Sequence, residues 1–187
     1  MVKKEIRVIG IDDSPFDKFR EKEALVVGVM TRGGQFVEGI LSCKVGIDGK
    51  DATKKFIEII NNSKFRPQLQ CIFLNGIAVA GFNVIDIHEL SKKTNIPVVV
   101  IIRQNPDIEK IKSTLKGLGQ NEKIKLIEMA GAITKIGDIY VQYAGIEIKR
   151  LEKMLKIVCT RSNIPEPLRL AHIIATGIVK GESRGKA

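Results

Sequence analysis

Two short runs decide what this chain can become: "CIFLN" at 71–75 and "PVVVII" at 97–102. Both are almost wholly apolar and rich in branched side chains. A strand with one face in water would alternate, so these read as strands covered on both faces. Between them, "GFNVIDIHELSKKTNI" places Val84, Ile87 and Leu90 on one helical stripe. That helix supplies the crossover that two parallel strands require. The fold class is therefore α/β, with helices on both sides of a sheet.

The rest of the chain extends that sheet. Residues 4–11, 24–31 and 35–46 have strand character, separated by "DDSPFDKFREK" and by "TRGGQ", whose Gly33-Gly34 pair suits a hairpin. They predict an antiparallel meander of three strands. "GIDGKDATKKFIEIINNSKF" then puts Ala52, Phe56, Ile59 and Ile60 at helical spacing. A helix is expected around 107–117, short strands near 124–128, 132–136 and 139–143, and helices near 147–159 and 166–179. In the last helix Leu168, Ala171, Ile174, Ala175 and Ile178 form the expected core stripe. At 187 residues one sizeable core is expected, a single domain over 1–187 whose charged, glycine-rich tail "KGESRGKA" is mobile from about residue 181.

Hydrophobic residues make up 44% of the chain and charged ones 28%, which excludes a disordered polyelectrolyte. No apolar run approaches the roughly 20 residues that span a bilayer, and "MVKKEIRV" runs straight into a strand pattern with no leader peptide. Cys43, Cys71 and Cys159 are far apart and odd in number, which suits buried thiols in a reducing compartment, so a cytoplasmic protein is expected. Thirty-one Lys and Arg against 21 Asp and Glu leave a charge of +10. That balance favours a phosphate-rich partner, nucleic acid before membrane.

Carboxylates at strand ends are the candidate chemistry. "VIGIDDSPF" delivers Asp12 and Asp13 to the end of the first strand, and Asn75 ends the fourth. In an open α/β sheet, functional groups gather beyond the carboxyl ends of parallel strands. Asp13 and Ser14 suit a turn, whereas Asp12 shares a strand face with Ile6, Val8 and Gly10 and needs a cation or donor there. Asp48 and Asp51 precede the first long helix, either as a cap with a capping-box partner or as further acids leaning into the crevice. Asn75-Gly76 is also an ordinary tight-turn signal, and Asp86 and His88 suit a polar helix face. Along the final helix Arg169, His172 and Thr176 form a polar ridge: a solvated face, or a row of phosphate donors extended by Lys180, Arg184 and Lys186. Arg32 and Arg103, at strand ends, are further candidates for nucleic-acid contact. The chain lacks GxxxxGK[ST], GxGxxG after a strand and GxSxG, which argues against a nucleotide cofactor or a serine nucleophile.

"IGIDDSPF", "GIDGKDAT", "LNGIAVAGFNVIDI", "IPVVVIIRQNPD" and "IPEPLRLAHIIATGIVKGESRG" together resemble the archaeal endonuclease dU family, also described as domain of unknown function 99 and related to endonuclease V. The resemblance runs over nearly the whole chain. It implies a ribonuclease H-like mixed sheet and a hydrolase of DNA repair that cuts near deaminated bases such as deoxyuridine, with Mg²⁺ or Mn²⁺ as cofactor. DNA is the implied partner, with RNA left open. By motif, Asp12 resembles the metal-binding carboxylate of the first strand, and "FVEGILSCKVGIDG" the region supplying the relative's wedge and glutamate. No glutamate stands at that strand position here, so Asp48 or Asp51 would substitute, with Asp13 beside Asp12. "RGGQFVEG" is the hairpin expected to pry the lesion open. The implied catalytic set is Asp12, Asp13, Asp48, Asp51 and Asn75, with Asp12, Asn75 and Asp48 as metal ligands. Asn75 stands where the family usually carries aspartate, so the alternative is a non-catalytic or weakly active nucleic-acid-binding protein.

Overall fold

Alternation along the first strand sets the layout. The computed structural model describes residues 4–185 and opens with β1 (Arg7–Asp13), followed by β2 (Glu23–Arg32) and β3 (Phe36–Gly46) as an antiparallel meander. β4 (Leu69–Asn75) lies parallel to β1, and β7 (Val98–Ile102) parallel to β4. β9 (Ile139–Ala144) and β8 (Thr134–Ile136) close the far side, giving one seven-stranded sheet in the order β3-β2-β1-β4-β7-β9-β8. A two-stranded hairpin of β5 (Ala78–Val79) and β6 (Asn83–Val84) stands apart, just after the end of β4.

Each face of the sheet carries its own core. Ile9 and Ile11 of β1, Ile72 and Leu74 of β4 and Val98 and Val100 of β7 face α1 (Ala52–Asn61) and α2 (Ile87–Thr94). Ile6 and Val8, Cys71 and Phe73, and Val99 and Ile101 face the other way, toward α5 (Ile148–Val158) and α6 (Glu166–Lys180). Because successive side chains alternate, Asp12, Asn75 and residue 103 fall on the α6 face, while Asp13 falls on the opposite face. Gly10 lets α6 come close: a Cβ there would sit 2.6 Å from Leu168 Cα, inside the helix backbone.

The expected meander and parallel strands are present, as are the helices near 107–117, 147–159 and 166–179. Three local expectations are corrected. Residues 124–128 lie within a helix, α4 (Asn121–Met129), which packs on α3 (Ile108–Gly117) through Leu115 and Ile127. The alternating "KIKLIE" suits a strand, but tertiary packing on a neighbouring helix overrides that local preference. Val84 belongs to β6, and α2 begins only at Ile87, capped by Asp86, which accepts from the His88 and Glu89 amides. Ile178 leaves the core stripe and is 64% exposed, because α6 extends past the sheet it covers. None of the helices is long and apolar enough to cross a membrane among the described residues.

Candidate active site

Asp12 stands at the carboxyl end of β1, on the face that α6 covers. It is 3% exposed, near the end of a strand that is buried from Val8 to Asp12. A buried carboxylate needs donors, and Asp12 gathers three from three segments. Asn75 Nδ2 donates to Oδ1 at 3.1 Å, the Asp13 amide donates to the same oxygen at 3.0 Å, and His172 Nδ1 lies 2.9 Å from Oδ2. Asn75 arrives there because β4 runs parallel to β1, with Leu74 beside Ile11. His172 arrives because Gly10 lets α6 lie directly on β1.

The second nitrogen of His172, Nε2, faces the Arg184 carbonyl at 3.3 Å. Both ring neighbours are oxygens, and only the protonated ring donates from both nitrogens. The hydrogen bond that His172 donates to Asp12 raises the His172 pKa; burial and the charge of Arg103 work against it. Asp12 and the Arg184 carbonyl together favour the protonated form of the ring. The same contact brings residues 181–185 back over α6, where a free tail was expected. Lys186 lies outside the described residues.

Asp13 points to the opposite face. Its Oδ2 accepts from the Ala80 amide at 3.0 Å, in the turn of the β5–β6 hairpin. Burial, and next the Asp12 carboxylate, push its carboxyl up to about 6, and among the described side chains only His172 opposes them as a cation. Ala80 has φ +46, a left-handed conformation that is strained for a residue with a Cβ.

Asp48 and Asp51 serve that hairpin. Asp48 takes φ +52, accepts from the Phe82 amide through Oδ1 at 2.8 Å, and donates its own amide to the Ala80 carbonyl at 2.9 Å. Asp51 accepts from the Gly46 amide and from Asn83 Nδ2, at 3.0 and 2.7 Å through Oδ1. The expected helix cap is therefore absent: Asp51 stands at the start of α1 without a side-chain capping bond. Neither acid contacts Asp12. Lys123 was not foreseen. It is 2% exposed, and its ammonium donates to the Asp48 carbonyl at 2.7 Å; burial lowers its pKa. A lysine in "NEKIKLIEM" looks like any surface lysine, so nothing in the sequence marks it. Asn83, which also accepts from the Ala52 amide at 3.1 Å, was missed for the same reason.

The basic candidates divide. Arg103 follows β7 on the Asp12 face and lies close enough for its charge to act on His172. Arg184 brings its carbonyl to His172, while its guanidinium pairs with Glu182. Arg169 is forked onto the nearly buried Glu166 at 2.9 and 2.6 Å, which fixes the first turn of α6. Lys180 ends α6, one residue before Gly181. Thr176 is 2% exposed, so the ridge is not a solvated face throughout. Arg32 lies at the wrong end: it pairs in register with Arg7, five residues before Asp12, or about 17 Å along the strand. The 33–35 turn lies there too, so "RGGQFVEG" is remote from Asp12. His88 places Nε2 at 2.9 Å from the Met129 carbonyl, a helix-to-helix tie.

No three His, Cys, Asp or Glu side chains stand together as a metal-holding group among the described residues. The donors that meet on the α6 face still have the chemistry of a hard-cation site: the Asp12 carboxylate and the Asn75 amide, which reverses its oxygen and nitrogen by a half turn.

The chain matches the endonuclease dU family over residues 4–179. A UPF0215 protein of Methanothermobacter thermautotrophicus is 47% identical over 191 residues, spanning 100% of this chain and 94% of that protein. A crystal structure of a protein of unknown function from Archaeoglobus fulgidus superposes with a TM-score of 0.87 at 44% identity, covering 93% of this chain and 98% of the other. The Ciona intestinalis endonuclease V, in complex with a 24mer DNA containing an inosine followed by a ribo-adenosine, superposes with a TM-score of 0.63 at 16% identity. It covers 95% of this chain and 87% of that one. This last likeness fixes the fold as ribonuclease H-like.

Proposed function

Because the chain belongs to the endonuclease dU family, we propose that it is a divalent-metal-dependent endonuclease that hydrolyses a DNA backbone bond near a deaminated base such as deoxyuridine. The observation that carries this reading is the convergence of Asp12, Asn75 and His172, from three distant segments, on one buried point at the carboxyl ends of β1 and β4. A purely structural protein gains nothing from burying a carboxylate there, 3% exposed and directly beside a second acid.

Asp12 and the Asn75 oxygen are the groups that would hold Mg²⁺ or Mn²⁺, which when bound would supply positive charge against the phosphate. His172 holds Asp12 Oδ2 through a 2.9 Å hydrogen bond and so fixes the orientation of the carboxylate. Arg103 brings charge to the phosphates of the strand. Water is the nucleophile: its oxygen joins phosphorus as one ester bond breaks, and the departing oxygen takes up a proton. Neither Asp12 nor His172 has a Ser, Thr or Cys side chain as a hydrogen-bond partner among the described residues. The test compares wild-type protein and Asp12→Ala on a uracil-containing oligonucleotide with Mg²⁺. Cutting by the wild type alone, abolished by a chelator, is expected. Equal cutting by both proteins, or cutting in excess chelator, overturns the reading.

One observation favours a second reading, a nucleic-acid-binding protein that cuts poorly. Asn75 carries no charge and donates to Asp12, which gives the cluster one carboxylate fewer than a fully acidic site would have. Asn75→Asp separates the two. Under the second reading it creates cutting that the wild type lacks, whereas under the first the wild type already cuts.

A further inference from the structure

The β1–β2 connection carries a feature that the site chemistry does not use. Phe19 is 89% exposed; no other large apolar side chain among the described residues comes near it, the next being Ile178 at 64%. A lone exposed phenylalanine is unremarkable in itself, but this one stands on a built support. The Phe19 amide donates to Asp17 Oδ1 at 2.9 Å, and the Arg20 and Glu21 amides donate to the Asp17 carbonyl at 3.1 and 2.8 Å. Asp17 thereby folds residues 17–21 into a single tight turn. Phe16, three residues earlier, packs inward against the core beside Gly81. At the loop's base the buried Ser14 donates its amide to the Leu25 carbonyl at 2.8 Å. One phenylalanine anchors the loop and the other is presented to solvent.

Position and charge say what it is presented to. The loop leaves the sheet directly after Asp12 and Asp13, at the end where Asn75 and Arg103 also emerge. The Lys18 ammonium lies over the Phe19 ring, 5.2 Å from its centre, and Arg20 is exposed beside it, 3.6 Å from Asp17. Residues 14–22 hold three cations against two carboxylates, and Asp17 is occupied by its own turn. An exposed ring with cations on either side matches the pattern by which proteins hold unpaired bases: the ring stacks on a base while Lys and Arg follow the phosphates.

We propose that Phe19 is a stacking platform for an unpaired base of the nucleic-acid strand that passes Asp12, with Lys18 and Arg20 gripping the neighbouring phosphates. This rests on the proposed nuclease function and adds a preference for strands whose bases are unstacked. Stacking on an aromatic ring is sequence-tolerant, so the platform confers strand-state preference and not base identity.

The experiment measures fluorescence anisotropy of a labelled single-stranded 20-mer and its duplex, with the full chain as wild type, Phe19→Ala, Phe19→Leu and Phe19→Trp. Phe19 buries nothing, so melting temperatures are expected to be unchanged. Phe19→Ala and Phe19→Leu are expected to weaken single-strand binding roughly 5- to 100-fold, the span that loss of one stacked base allows, and duplex binding much less. Phe19→Trp is expected to retain binding, with the indole emission of this otherwise tryptophan-free chain quenched by the oligonucleotide. Wild-type affinity in Phe19→Ala overturns the platform while leaving the nuclease reading intact. Wild-type affinity in Phe19→Leu alone overturns stacking in favour of plain apolar contact. A change in oligomeric state without a change in DNA binding assigns Phe19 to contact with a second copy. Failure of the wild type to bind any nucleic acid removes this inference and the nuclease reading together.

Discussion

The two ends of the central sheet handle charge in opposite ways. At the amino end of β1, Arg7 forks onto Glu38, and Arg32 lies 3.0 Å from the same carboxylate and 3.8 Å from Glu5. Those groups are partly in water, and each acid has an arginine. At the carboxyl end, Asp12 and Asp13 are adjacent, one of them 3% exposed, with a single imidazole between them and neutrality. Exposed ion pairs of the first kind add little, roughly 0–1 kcal/mol each. The second arrangement costs stability. A chain keeps such a cost where the charges have a use, and the contrast separates a stapled end from a working end of the same sheet.

The sharpest way to break this contrast is a pair of substitutions, one at each end. Asp12→Ala is expected to reduce cutting of a uracil-containing strand by on the order of 10²- to 10³-fold, while Arg32→Ala changes it less than about twofold. Comparable losses would show that the nucleic acid engages the far end. Next in size is Gly10→Ala. The new methyl meets the backbone of Pro167 and Leu168, and thermal unfolding is expected to report a loss of about 3 kcal/mol. Cutting should fall with it, because His172 moves away with α6. An unchanged melting temperature would mean that the close approach of helix to strand is not needed.

The cost at the working end has a pH signature. The carboxyl of Asp13 titrates at about 6 when folded against 3.8 unfolded, so the folded state holds the proton more tightly. Stability from this group is therefore fully present below pH 3.8 and is lost as pH rises through about 6. A displacement of that size corresponds to up to about 3 kcal/mol. In chelator-treated protein, Asp13→Asn should be more stable than wild type at pH 8 and gain nothing at pH 3.5, because an asparagine oxygen still accepts from Ala80. Equal pH profiles would show that the acid pair is not strained. The smallest effect belongs to the stapled end: Arg32→Ala should cost less than about 1 kcal/mol, and less still in high salt.

Much of this was legible in the sequence. The apolar runs at 71–75 and 97–102 define the parallel strands, and period-two counting along "VIGIDD" puts Asp12 on the face that α6 covers. His172 was legible as a polar position on a helix and no more. Its role depends on Gly10 admitting the helix, a contact between residues 158 positions apart (Gly10 to Leu168). Asp48 and Asp51 were misjudged because local rules offer a helix cap. The competing partners, the Phe82 amide and Asn83, lie more than 30 residues away. Arg32 was misplaced for a simpler reason: the sequence marks it as a strand end, but only the strand register says which end of the sheet it occupies.

The alternation of Asp12 and Asp13 has one further consequence. Since adjacent side chains leave a strand on opposite sides, sliding β1 by one position would turn Asp12 toward the β5–β6 hairpin and expel Ile9 and Ile11 from their core. The cluster therefore cannot come apart by a local adjustment of the strand. Amide hydrogens around Asp12 should exchange with solvent only as fast as the whole sheet opens, while those of the 17–21 turn exchange orders of magnitude sooner.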